Sequence, residues 1–81
     1  MTRPPEDNYH KYLQMLGRRV AAARHLRGEK EDTVAKAVGI TQAVISQVEN
    51  GTYYSLKVTT LIDICEYLQM QLPLLPPPSY K

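Results

Sequence analysis

The chain has no tryptophan, no phenylalanine, a single cysteine and only four glycines in 81 residues. Each shortage closes off a class of protein. One cysteine, Cys65, leaves no internal disulfide and no multi-cysteine metal site. With Ile64 and Leu68 close by on a helical repeat, it reads as a reduced core residue rather than a reactive thiol. Without Phe or Trp, the 43% of hydrophobic residues must pack mainly as aliphatic side chains, and four glycines supply few of the tight turns a sheet needs. There is no glycine-rich phosphate loop, no histidine pair at metal-ligand spacing and no nucleophile with a neighbouring base. No enzymatic activity, cofactor or metal site is therefore expected, and His10 and His25 read as surface residues. No apolar run approaches the roughly 18 residues of a membrane span and no signal peptide opens the chain, so a cytoplasmic protein with no membrane partner is expected. Ten basic residues against eight acidic ones give a net charge of +2, which permits binding to a polyanion without requiring it.

The chain is long enough for one domain with a small core, since about 60% of the unfolded surface is removed from water at this size. Its organising stretch runs from Val34 to Gly51. Val34 and Val38 lie four apart with Ala35 beside them, and Ile45 and Val48 lie three apart. Both segments thus carry the helical period and not the alternation of a strand. Gly39 stands where the first helix must stop in a left-handed conformation, and Thr41 follows as the N-cap of the second. Ile40 and Ile45 flank that cap at the spacing of a hydrophobic staple, and Asn50-Gly51 supplies a stop at the far end. The pattern predicts helix, tight turn, helix.

The spacing of Ala35, Gly39, Ile45 and Val48, closed by Glu49-Asn50-Gly51, resembles the helix-turn-helix of the Cro and phage-repressor-like DNA-binding family. The resemblance spans about residues 16 to 72, because Leu16 to Gly28 resembles that family's first helix and Leu61 to Leu68 its last. It implies an all-α fold, a compact lambda-repressor-like bundle of roughly four to five helices around a central helix-turn-helix. It also implies a transcriptional regulator, a repressor reading palindromic double-stranded DNA as a homodimer, with helix 3 (about Gln42 to Asn50) in the major groove. Gln42, Ala43, Val44 and Gln47 are the candidate base contacts: a glutamine bonds adenine N6 and N7, and Ala or Val meets a thymine methyl. Ser46, Thr52, Tyr53, Tyr54, Lys57 and Lys36 are candidate backbone contacts, with Tyr53 or Tyr54 alternatively packed under the loop. Arg24 and Glu49 match the positions of a structural ion pair. The segment Glu29-Lys30-Glu31-Asp32 departs from the family. Its acidic residues suit a helix N-terminus, but Glu31 stands where the family approaches a phosphate. An antitoxin-like or other protein-interaction module that holds a protein partner through Glu29, Glu31, Asp32 or the apolar tail is the alternative.

In order along the chain, residues 1–8 form an N-terminal arm in which Pro5, Glu6 and Asp7 suit a first helical turn. Residues 9–72 form the DNA-binding domain, and residues 73–81 a proline-rich tail suited to polyproline II. Tyr9, Tyr12, Leu13, Leu16, Val20 and Ala23 recur at threes and fours and predict one long helix to about Arg27. Gly17 interrupts it and marks either a break or a close helix contact. Helix 4 is expected from about Lys57 to Gln71, burying Leu61, Ile64, Cys65 and Leu68. Tyr67, Met70, Leu72, Leu74 and Leu75 are candidates for a dimer surface.

Overall fold

A computed structural model describes residues 8–72, and these contain four helices. They are α1 (Asn8–Leu26), α2 (Glu31–Val38), α3 (Gln42–Asn50) and α4 (Val58–Leu68). The expected arm at residues 1–7 and the tail at residues 73–81, with Leu74 and Leu75, lie outside the described residues. Asn8, assigned to the arm, is already the first residue of α1.

The core is aliphatic. Leu13, Leu16 and Val20 of α1, Val34 and Ala35 of α2, Ile45 and Val48 of α3, and Leu61, Ile64, Cys65 and Leu68 of α4 form one buried cluster. Side chains of this size contribute roughly 1.5–3 kcal/mol each on full burial, set against the entropy of ordering the chain. α1 packs along α3, α2 also packs against α3, and α4 closes the far side against α2 and α1.

Gly17 is a contact and not a break. α1 runs through it without interruption, and it is buried beneath the C-terminal turn of α3. A Cβ placed there would come under 3.0 Å from the carbonyl oxygens of Val48 and Glu49. These are backbone atoms at a helix end and cannot rotate away.

α4 ends three residues earlier than its composition predicts. Gln69 takes a left-handed conformation (φ 55°), and the N–H groups of Gln69 and Met70 cap the carbonyls of Glu66 and Cys65 at 3.2 and 2.9 Å. The reversal lets Met70 fold back against the core, which offsets a left-handed penalty of about 1–2 kcal/mol for a residue carrying a Cβ. Tyr67 also packs against the core, its hydroxyl donating to Glu29 Oε1 at 2.5 Å. Of the described dimer candidates, Leu72 alone stands exposed on the surface (42%), with Ile62 of α4 similarly uncovered (40%).

Two substitutions test these backbone features. Gly17→Ala would stabilise a free helix by about 1 kcal/mol; here the carbonyl contacts reverse the sign, and a net loss of about 3 kcal/mol is expected in urea unfolding. Gln69→Gly removes the left-handed penalty but gives the unfolded chain more freedom. A net gain of about 0.5 kcal/mol is expected, and a loss would contradict the capping account.

Candidate nucleic-acid interface

The turn between α2 and α3 is built by local rules. Gly39 (φ 79°) is the C-cap of α2, and its N–H and that of Ile40 bond the carbonyls of Lys36 and Ala35 at 3.3 and 2.9 Å. This doubly bonded cap needs a left-handed residue at its centre. Thr41 is extended, and its Oγ1 accepts the Val44 N–H at 3.2 Å as the N-cap of α3. α3 is thereby launched at a fixed angle to α2. Gly51 closes its far end in a left-handed cap, with a C-terminal N–H bonded back to Val48.

With Ile45 and Val48 fully turned into the core, the opposite side of α3 carries Gln42, Ala43 and Gln47, all exposed, with Val44 and Ser46 half-buried at its edges. Val44 packs partly against the core. Lys36 on α2 and Lys57 at the start of α4 are exposed. Thr52 donates its hydroxyl to the Gln47 carbonyl at 3.3 Å, which folds the following loop against the end of α3. Tyr53 is half-buried and packs on the core edge, whereas Tyr54 is exposed.

The far end of α3 is held by Arg24. Its Nε donates to Glu49 Oε2 at 2.6 Å and its Nη2 to Glu49 Oε1 at 3.0 Å, a two-pronged pair. The two side chains are only 11% and 7% exposed. Nη1 also donates to the Glu29 carbonyl at 2.9 Å. The Glu49 hydrogen bond, with the charges of Glu49 and Glu31 behind it, raises the Arg24 pKa above its ordinary value despite partial burial. Glu29, by contrast, is held below the ordinary carboxylate value by the Tyr67 hydroxyl and by Arg27.

Two parts of this surface were not legible in the sequence. Gln42, the first residue of α3, donates its Nε2 to Glu31 Oε1 at 2.6 Å. The acidic entrance of α2 and the outward face of α3 are therefore one feature. At the other end, Tyr54 donates to or accepts from His10 Nδ1 at 2.6 Å, its ring stacks on that imidazole, and its carbonyl accepts the Tyr9 hydroxyl at 2.5 Å. The N-terminal turn of α1 thus anchors the loop after α3. Both contacts join residues far apart in the chain, and the only sequence hint was that Glu31 and Gln42 each open a helix.

A buried-faced helix α2, a left-handed glycine turn and a second helix with a polar outer face define a helix-turn-helix protein. A helix-turn-helix family model of the Cro/C1 type matches residues 21–75, and the chain belongs to this family of DNA-binding regulators. No curated protein sequence matches it significantly. Among the described residues no helix is long and apolar enough to cross a membrane.

The clamp on α3 is testable by a double-mutant cycle. Arg24→Ala and Glu49→Ala each leave one well-covered charge unpaired and are expected to cost about 3 kcal/mol. The double variant should cost far less than the sum, with a coupling above about 1.5 kcal/mol. Additive losses would mean that the pair contributes nothing as a pair.

Proposed function

We propose that this protein binds palindromic operator DNA as a homodimer and represses transcription, with α3 in the major groove and α2 across it. The observation that carries the reading is the outward face of α3: Gln42, Ala43 and Gln47 stand exposed in sequence on a helix fixed at both ends. These are residue types matched to base edges, glutamine to adenine and alanine to a thymine methyl. Val44 at the edge of that face is a further thymine contact. Ser46, Thr52, Tyr53, Tyr54, Lys57 and Lys36 surround it as phosphate and sugar contacts that set register without reading sequence. The loop itself is held in place by the Thr52 and Tyr54 hydrogen bonds.

A net charge of +2 provides only a weak general attraction to DNA, so two copies acting together supply the affinity. The exposed Leu72 and Ile62 are the apolar surface offered to the second copy. A role for the acidic segment in holding a protein partner draws less support, because the Glu29 and Glu31 carboxylates are both engaged within the chain.

Selection of bound sequences from random duplex DNA tests the proposal. A palindrome with half-site centres about 34 Å apart is expected. Gln47→Ala should relax preference at one position per half-site. Lys57→Ala should weaken all sequences alike and reduce the salt slope by about one. No detectable duplex affinity at low salt would defeat the reading.

A further inference from the structure

The first turn of α1 grips the loop after α3 through a single residue of that loop. The Tyr9 hydroxyl donates to the Tyr54 carbonyl at 2.5 Å, and the Tyr54 hydroxyl lies 2.6 Å from His10 Nδ1 with the two rings stacked. The second bond can run either way. Between a phenol and a neutral imidazole, the phenol is the stronger acid and the ring nitrogen the stronger base, so the neutral pair holds with Tyr54 donating. The one hydrogen of the phenol is then committed to His10. A protonated imidazole carries hydrogen on both nitrogens, so Nδ1 donates to the phenol oxygen and the phenol hydrogen is released. A phosphate oxygen only accepts. Beside neutral His10 the Tyr54 hydroxyl has no donor to offer it, and beside protonated His10 it has one. Tyr54 is 50% exposed, enough for a phosphate oxygen to reach it.

We propose that His10 is a positioning residue for a phosphate contact made by Tyr54, and that this contact forms with uptake of a proton by the imidazole. The inference rests on the DNA-binding reading and adds to it a pH dependence that is the same for every sequence. Imidazole is the side chain that changes charge between pH 5 and 8, so neutral His10 withholds the donor and acid releases it. The sign follows from linkage: the complex binds more protons than the free protein, and affinity rises as pH falls. Two effects run in the same direction. The released hydrogen bonds the phosphate, and the imidazolium adds a positive charge beside the backbone. Among the described residues, the titratable groups around the imidazole are the hydroxyls of Tyr9 and Tyr54, with exposed Lys11 next on α1. Glu6 and Asp7 stand a turn earlier in the sequence, outside the described residues. The other histidine, His25, lies roughly 22 Å further along α1, against Arg24. It is too far away to act on Tyr54.

The test is binding to the selected operator and to random duplex between about pH 8 and pH 6 at fixed low salt. Wild-type affinity for both should rise about tenfold over this range, within what one hydrogen bond to a charged group supplies. Tyr54→Phe keeps the ring, the imidazole and its charge but has no hydroxyl. Its affinity should match the wild type at pH 8 and fall below it at pH 6, its own rise shrinking to about threefold or less. His10→Asn sets an amide where Nδ1 stands, which can donate at any pH, and its affinity should be flat. His25→Gln should keep the wild-type profile. By the same linkage, the His10 imidazole followed by NMR should titrate at a higher pH with random duplex bound than in the free protein, and by less in Tyr54→Phe. A pH profile that is the same in Tyr54→Phe as in the wild type, or that flattens in His25→Gln instead, overturns the inference and leaves α3 as the reader. If no variant, nor the wild type, binds duplex even at pH 6, the DNA-binding reading itself fails, and the inference fails with it.

Discussion

The arrangement depends above all on the Arg24 guanidinium. It sits in the last turn of α1, where a cation complements the negative end of that helix. Glu49 sits in the last turn of α3, where a carboxylate opposes the dipole and no basic residue on the helix offsets it. The two-pronged pair corrects that conflict, and the bond to the Glu29 carbonyl pins the start of the connection into α2. One side chain thereby touches three parts of the fold. With Gly17 drawing the backbones of α1 and α3 together, the pair removes the freedom of α3 to slide or rotate on α1.

The parts of the molecule that obey local rules were legible in the sequence, and the parts that depend on distant partners mostly were not, the Arg24–Glu49 pair being anticipated through the family resemblance. The α2–α3 unit is the clearest case: Gly39, Thr41 and Gly51 each act on hydrogen bonds within a few residues of themselves, so the bounds of α3 could be read directly. The end of α4 shows the opposite. Gln69, Met70 and Gln71 are good helix formers with no glycine among them, and nothing local says stop. The helix stops because Met70 gains burial by turning back, a tertiary effect that outweighs propensity. Tyr67, a candidate for the dimer surface, is placed by a similar tertiary effect: its ring packs against the core while its hydroxyl reaches Glu29.

The candidate site divides the same way. Which residues of α3 face outward follows from helical period once Ile45 and Val48 are placed inside. What each outward residue is bonded to does not follow. Glu31 read in isolation is a misplaced negative charge, an obstacle to a phosphate; opposite Gln42 it is half of a hydrogen bond. Tyr54 read in isolation is either a phosphate donor or a packed ring. It stands exposed yet bonded to His10, so its ring direction is fixed by the protein before any ligand arrives.

These contacts share a physical consequence. Binding a flexible polar surface to DNA requires each side chain to be ordered at a cost of roughly 0.5–1.5 kcal/mol. On this surface Gln42, Thr52 and Tyr54 are already ordered by partners inside the chain, whereas long-range attraction is weak at a net charge of +2. A surface with little charge and much preorganisation places its free energy in contacts that depend on geometry. Such contacts differ between correct and incorrect sequences, while phosphate attraction does not.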